Sequence, residues 1–240
     1  MATKKLPKYI NGAAPSCQGC GHGLIVRLMA EVCEELGVEG KTIVVRDVAC
    51  GGSACGGWNV DSVTAAHGRP IPVANGVKGA SPENVVIAHV GDGAAYSIGS
   101  AELVHAALRG DNITVIVVNN TVYGMTGGQM SPATIPGEKT ASSPKGKDGD
   151  RYGVLDVVKL IGELNCTYLA RGELYDVPAI NKTKAMIKKA IQNQIDGKGF
   201  SLVEILSPCP TNLHMTPIKA KEFMHTDAAK FFPLGEFVDK

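Results

Sequence analysis

The stretch VVIAHVGDGAAYSIGSAELVHAALRGDNITVIVVNNTVYGMTGGQ, residues 85–129, determines how the rest of the chain is organised. Its apolar, β-branched opening predicts a buried parallel strand over residues 85–90, which the Gly91-Asp92-Gly93 turn ends. Apolar residues at helical spacing predict a helix over residues 97–109, and a second apolar run predicts a strand over residues 113–118. This order indicates an α/β fold with a mostly parallel sheet and helices on both faces.

Polar residues follow both predicted strands. Ligands of open α/β sheets bind just beyond the carboxyl ends of strands, so we expect Asp92 and Asn120 to lie close together there. A carboxylate and an amide oxygen suit Mg²⁺, and Gly91 and Gly93 let a phosphate approach the backbone, with the helix near Ser97 aiming its positive end at that anion. A Gly-Asp-Gly turn alone is often an ordinary β-turn, whereas its combination with a later Asn-Asn pair is more specific.

Length and composition favour a single domain over residues 1–240, with a polar N-terminal arm and a C-terminal tail. The 240 residues are 44% hydrophobic and 20% charged, with a formal net charge of +1. This balance gives no reason to expect a nucleic-acid or membrane-surface partner, and no apolar run is long enough to cross a bilayer. The start, MATKKLPKYINGAAP, lacks the apolar core of a signal peptide, so we expect a cytoplasmic protein.

The cysteines suggest a metal centre beside the predicted phosphate site. Cys17 and Cys20 form a CxxC pair in the arm, whereas Cys50 and Cys209 each follow a predicted strand and therefore lie at the same sheet edge as Asp92. Four thiolates on loops rich in glycine and proline suit a [4Fe–4S] cluster. From spacing alone, a zinc site and unrelated thiols remain alternatives.

Other segments allow more than one interpretation. Cys55 is the rival of Cys50, because both lie in the glycine-rich segment 49–57, which we predict to be a loop pressed against a ligand. The His67-Gly68-Arg69 segment suits contact with cofactor or substrate, but it also suits an ordinary loop-to-helix junction. Residues 131–152 predict a long loop, which is typical of a lid, a binding loop, an interface or a simple connection.

Six motifs in this order resemble the β subunit of the 2-oxoacid:ferredoxin oxidoreductases. They are CQGCGHG at residues 17–23, ACGGS at 49–53, HGRPIPVANGVK at 67–78, GDGAAYSIG at 91–99, NNTVYGMTGGQMSPAT at 119–134 and GFSLVEILSPCPT at 199–211. The chain departs from the family at Asp47-Val48-Ala49, where Gly-Ile-Gly is common, and at Asn119, where an acidic residue is common.

The resemblance implies a thiamine diphosphate (ThDP)-binding fold that holds ThDP, Mg²⁺ and one [4Fe–4S] cluster. It implies Cys17, Cys20, Cys50 and Cys209 as cluster ligands. It implies Asp92, Asn120 and the carbonyl of Val122 as metal ligands, with Gly91 and Gly93 at the diphosphate. Further predicted cofactor contacts are Gly51, Gly52, His67, Gly68, Arg69 and Gly124.

The implied activity is the coenzyme A-dependent oxidative decarboxylation of a 2-oxoacid, with electrons passing through the cluster to ferredoxin. The compact chain resembles the 2-oxoisovalerate and 2-oxoglutarate types. We assign no catalytic side chain here and expect the activating glutamate on an α subunit that carries a pyrimidine-binding domain, with γ and ferredoxin-like δ subunits as further partners. The alternatives are a non-redox ThDP decarboxylase or synthase half-subunit and a non-catalytic, zinc-stapled scaffold.

Overall fold

A computed structural model describes residues 6–240 of the chain. Seven strands form one sheet in the order β2-β1-β3-β4-β8-β7-β9, and β5 and β6 form a short separate ribbon. The strands are β1 (Thr42–Arg46), β2 (Asp61–Thr64), β3 (Val85–Gly91), β4 (Thr114–Asn119), β5 (Val122–Tyr123), β6 (Gln129–Met130), β7 (Cys166–Glu173), β8 (Phe200–Leu206) and β9 (Gly235–Asp239). The helices are α1 (His22–Glu35), α2 (Cys50–Ala54), α3 (Pro70–Ala80), α4 (Ser100–Arg109), α5 (Val157–Ile161), α6 (Val177–Ile195), α7 (Pro210–Leu213), α8 (Pro217–Phe223) and α9 (Ala229–Phe231).

The sheet is parallel apart from one edge, and helices cover both faces, as the sequence predicts. Strands β3, β4 and β8 are buried on both sides, which explains their continuous apolar runs. Helices α3, α4 and α5 contribute to the core on one face, and α1 and α6 to the core on the other. Only β9 runs antiparallel to its neighbour, β7, and in this way the predicted C-terminal tail joins the sheet.

Helix boundaries follow local chemistry. Asp176 begins α6 by accepting a hydrogen bond from the N–H of Ala179 (2.8 Å), and α4 ends at Gly110, which has the left-handed φ of +66°. The helical segment after β3 begins earlier than predicted. It opens with a π-helical turn, Ala94–Ile98, which precedes α4. The positive end of this helical segment therefore lies at the Gly91-Asp92-Gly93 turn and not near Ser97.

The glycine-rich segment 49–57 is the clearest departure from the predicted secondary structure. We predicted a loop there, but residues 50–54 form α2 and residues 55–57 add a 3₁₀ turn. The backbone of this helix packs closely against the preceding residues, and glycine makes that possible. A Cβ at Gly52 would lie 2.2 Å from the carbonyl oxygen of Asp47. The glycine-rich composition thus reflects a close approach to the backbone, but at Gly52 the approaching group is the carbonyl of Asp47 and not a ligand.

The arm and the long loop are both packed. Residues 1–5 of the predicted arm lie outside the described residues, while Ile10 forms an antiparallel bridge with Trp58. Residues 131–152 contain no helix or strand, as predicted, yet Thr134, Glu138 and Lys147 are buried within them. Over residues 6–240, no helix combines the length and the apolar character needed to span a membrane.

Candidate functional site

The ends of β3 and β4 bring two predicted metal ligands together. Asp92, which follows β3, and Asn120, which follows β4, are both buried. The backbone N–H of Asn120 donates to Oδ1 of Asp92 over 3.5 Å. The hydroxyl of Ser131 donates to the other Asp92 oxygen over 2.5 Å, and the N–H of Val122 donates to Oδ1 of Asn120 over 3.2 Å. Burial raises the pKa of Asp92 to about 7, because the ionised carboxylate loses hydration.

A pocket of about 570 Å³ opens in front of this pair. The predicted cofactor residues that line it are Gly51, His67, Gly91, Asp92, Gly93, Asn120, Val122 and Gly124. A Cβ at Gly93 would lie 2.3 Å from the ring of Tyr123, whose hydroxyl donates to the Gly93 carbonyl over 3.1 Å. Glycine at position 93 is therefore required by packing as well as by any bound phosphate.

Three predicted cofactor residues do not line this pocket. Gly68 has a φ of +69° and packs so closely on Ile98 that a Cβ would lie 2.5 Å from its side chain. Arg69 forms an ion pair with Glu102 (2.5 Å) and donates to the carbonyl of Ile98 (2.9 Å). Gly52 lines a neighbouring surface pocket instead. Packing at the junction into α3 thus accounts for both Gly68 and Arg69.

The four predicted cluster cysteines face a single adjoining cavity. Cys17, Cys20, Cys50 and Cys209 all line a space of about 1110 Å³. Burial, with a smaller contribution from the charges of the other three thiols, raises the pKa of Cys20 to about 11. Within residues 6–240, no three His, Cys, Asp or Glu side chains are grouped closely enough for a single metal ion.

The remaining cysteines lie in the core. Cys55, the rival of Cys50, is buried, and its Sγ lies 3.4 Å from Nδ1 of His89. Cys33 and Cys166 are also buried, as small apolar side chains in the core. The structure thus places Cys50, and not Cys55, beside the other three thiols.

The two cavities share a wall. His22, Cys50, Asn120, Gly124 and Met125 line both of them. The predicted metal and phosphate site is therefore contiguous with the predicted cluster site.

Two residues that we did not predict as ligands also belong to the site, although His22 lies in the CQGCGHG motif and Asp47 lies where the chain departs from the family pattern. Asp47 and His22 line the first pocket, and Oδ2 of Asp47 and Nδ1 of His22 are buried without a hydrogen-bond partner in the described part of the chain. Burial lowers the pKa of His22 to about 4 and raises that of Asp47. Unpartnered buried polar atoms need an explanation, and a bound ligand is a common one.

Comparison with known proteins shows which family the chain resembles. Residues 52–205 match the family model of the thiamine pyrophosphate enzyme, C-terminal TPP binding domain. "Ketoisovalerate oxidoreductase subunit VorA" of Methanothermobacter thermautotrophicus is 40% identical over 235 residues, which cover 95% of this chain but 49% of that protein. "2-oxoglutarate synthase subunit KorB" of Methanocaldococcus jannaschii is 32% identical over 243 residues, covering 93% of this chain and 86% of that protein.

This chain therefore spans about half the length of the VorA relatives that it matches. A solved structure, the 2-oxoglutarate:ferredoxin oxidoreductase from Magnetococcus marinus, superposes with a TM-score of 0.79 at 24% identity, covering 100% of this chain and 86% of that one. At this identity the likeness shows the fold alone.

Proposed function

The chain belongs to the thiamine diphosphate-binding β subunits of the 2-oxoacid:ferredoxin oxidoreductases, and from this premise we propose its activity. It takes part in the coenzyme A-dependent oxidative decarboxylation of a 2-oxoacid to acyl-CoA and CO₂, and it passes the electrons to ferredoxin. The observation that carries the proposal is the shared wall between the pocket at Asp92 and the cysteine cavity. One cavity suits the decarboxylating cofactor, and the other suits the electron carrier.

The first pocket fits the diphosphate and metal of ThDP. Asp92, the Asn120 side chain and the Val122 carbonyl are oxygen donors of the kind that Mg²⁺ prefers, and all three residues line the pocket. Gly91 and Gly93 would hold the diphosphate at the beginning of the helical segment. ThDP, when bound, supplies the stabilisation of carbanion character that decarboxylation of a 2-oxoacid needs. The chain's own residues bind and orient it.

We propose that the second cavity holds an iron–sulfur cluster and not a zinc ion, because the proposed reaction needs a carrier of single electrons. A tetrahedral zinc ion needs its sulfur ligands at about 2.3 Å from the metal. No such grouping of three or more ligands occurs in residues 6–240, although Cys17, Cys20, Cys50 and Cys209 line one cavity. A [4Fe–4S] cluster is larger than a single ion, and it supplies transfer of electrons one at a time. Zinc would leave these electrons without a carrier.

The active site needs a second chain. No glutamate lines the pocket at Asp92 in the part of the chain that the structure describes, so the activating glutamate would come from the α subunit with its pyrimidine-binding domain. Val48, Ile98 and Met125 line the same pocket although they are 45%, 50% and 53% exposed, which supports a cover from a partner. We propose γ and ferredoxin-like δ subunits as additional members of the complex.

We propose 2-oxoisovalerate or 2-oxoglutarate as the substrate, because the relatives are named as ketoisovalerate oxidoreductase and 2-oxoglutarate synthase subunits. We propose a cytoplasmic complex, because all seven cysteines lie in residues 6–240 and are free there, as a reducing compartment would keep them. The non-redox ThDP half-subunit and the zinc-stapled scaffold remain the competing functions.

The test is an anaerobic assay of the assembled complex with pyruvate, 2-oxoisovalerate and 2-oxoglutarate, with coenzyme A present and ferredoxin as acceptor. We expect reduction of ferredoxin with one of the last two substrates. CO₂ release without ferredoxin reduction would favour the non-redox half-subunit. A complex that binds no ThDP and contains zinc in place of iron would favour the scaffold.

A further inference from the structure

The turn between the two predicted metal ligands has an unusual backbone. Thr121 lies between Asn120 and Val122, is fully buried and has a φ of +66°. In residues 6–240, only Thr121 and His214 combine a positive φ with a side chain. This left-handed conformation is costly for a β-branched residue, so the surrounding structure must hold it.

The long loop provides the groups that hold it. The hydroxyl of Thr121 lies 2.6 Å from Oε1 of Glu138 and 2.6 Å from the carbonyl oxygen of Asn120. Glu138 is buried, and its other oxygen accepts a hydrogen bond from the N–H of Ile135 over 3.0 Å. The carbonyl of Thr121 accepts a hydrogen bond from the hydroxyl of Thr134.

The loop is itself anchored by Lys147. The buried ammonium of Lys147 donates to the carbonyl of Thr134 and, over 2.7 Å, to the carbonyl of Gly153. The backbones of Lys147 and Glu138 are joined by a 2.9 Å hydrogen bond. The side chain and the backbone of Lys147 therefore both hold the segment that carries Glu138, independently of the contact between Glu138 and Thr121.

We propose that Glu138 is a positioning residue for the cofactor metal: it holds Thr121 in the left-handed conformation, so that Asn120 and Val122 face the pocket. This inference rests on the proposed function, because it assigns Mg²⁺ and ThDP to that pocket. It gives the 131–152 loop a role that its sequence does not specify. Glu138 acts through Thr121 and does not line the pocket itself.

The test measures ThDP affinity by calorimetry on the chain in its complex, at limiting and at saturating Mg²⁺. We expect Glu138→Ala to weaken binding by about 10- to 100-fold, the range found when groups behind a metal ligand are removed. In Glu138→Gln the amide oxygen can accept from the N–H of Ile135 while the amide NH₂ donates to the Thr121 hydroxyl, which still has the Asn120 carbonyl as its acceptor. This variant should stay within about threefold of wild type. Glu163→Ala, an exposed glutamate, is the matched control.

A second substitution separates positioning from general destabilisation. Glycine adopts positive φ without strain, so Thr121→Gly in the Glu138→Ala background should restore most of the lost affinity. Additive losses in the double variant would overturn the proposal, as would wild-type affinity in a folded Glu138→Ala variant. If Glu138→Ala does not fold, the double variant decides alone, because the proposal requires it to bind within about tenfold of wild type. A wild-type complex that binds no ThDP at all would instead overturn the proposed function.

Discussion

The hydroxyl of Ser131 donates a 2.5 Å hydrogen bond to Oδ2 of Asp92, although 39 positions separate the two residues in sequence. The backbone N–H of Asn120 donates to the other oxygen of the same carboxylate. Asp92 is thus oriented by protein groups before any cofactor arrives. Such preorganisation keeps a binding group close to its working geometry, at the cost of burying a charge.

Replacing Asp92 should separate stability from binding. The folded pKa of Asp92 is about 7, above its ordinary value of 3.8, so ionisation of this group removes stability as pH rises from about 4 to 7. Asp92→Asn should therefore raise the free energy of unfolding at pH 8, on the order of 1 kcal/mol or more, with little change at pH 4. It should also abolish Mg²⁺-dependent ThDP binding.

Urea unfolding at both pH values and calorimetric titration measure the two effects, and the exposed Asp61→Asn variant serves as the control. An Asp92→Asn variant that binds ThDP as tightly as wild type would remove Asp92 from the metal site.

Cys50 in α2 and Cys55 in the 3₁₀ turn after it should respond differently to substitution. Cys50 lines the cavity with the other three thiols, so Cys50→Ala should lose iron and visible absorbance. Cys55 is buried against His89, so Cys55→Ala should keep its iron and lose stability of about 1 kcal/mol. Iron analysis after anaerobic purification, together with urea unfolding, tests both. Iron loss in Cys55→Ala but not in Cys50→Ala would reverse the assignment.

A buried ion pair supports the sheet below the site. Oε2 of Glu204 accepts a hydrogen bond from Nε of Arg171, and both side chains are buried. Oε1 of Glu204 accepts from Tyr96 over 2.7 Å and from Asn119 over 2.8 Å. In Glu204→Ala the buried Arg171 keeps, among residues 6–240, only Asp156 (2.5 Å) as an ionic partner, and Tyr96 and Asn119 lose their shared acceptor. The substitution should therefore cost about 3–5 kcal/mol of unfolding free energy.

The matched control is an exposed ion pair. Lys230 lies 3.2 Å from Asp227 and is 70% exposed, so Lys230→Ala should change stability by less than about 1 kcal/mol. Equal effects of the two substitutions in urea unfolding would contradict a special role for the buried pair.

Acidification should destabilise the chain through His89. This residue is fully buried in β3, and burial lowers its pKa to about 3. A histidine with a lowered folded pKa stabilises the fold above its unfolded pKa of about 6.5, and this contribution is lost as pH falls. Between pH 6.5 and 5 the loss amounts to about 2 kcal/mol for this residue.

Replacement with a neutral residue should remove that part of the pH dependence. The free energy of unfolding of His89→Gln, followed in urea from pH 7 to pH 5, should fall less steeply than that of wild type. Parallel curves for the two proteins would show that His89 is not the group that titrates.

Much of the architecture was predictable because the strongest sequence signals are local. Apolar runs identify β3 and β4 since these strands are buried on both sides, and helical spacing identifies α4. Strand β2 was missed because it is exposed and lacks an apolar pattern, and β9 because it completes an edge with mixed residues. Tertiary pairing, which no local pattern encodes, creates both strands.

The site was predictable where it forms a motif and hidden where it depends on distant contacts. Asp92 and Asn120 follow buried strands, so their meeting could be deduced from the sheet alone. Glu138 belongs to the long loop, which has no periodicity, and only the folded chain brings it to the turn. Asn119, which stands where an acidic residue is common in the family, donates to Glu204 and accepts from the N–H of Thr121 (3.1 Å), which ties the turn to the sheet.

In the proposed function, electrons leave the substrate through a cluster held by this chain. The most direct measurement is the visible absorbance of the anaerobic complex after mixing with 2-oxoacid and coenzyme A, without an external acceptor, in wild type and in Cys50→Ala. The proposed function predicts rapid bleaching in wild type and none in Cys50→Ala, although both bind ThDP. Bleaching at the same rate in both proteins would contradict it.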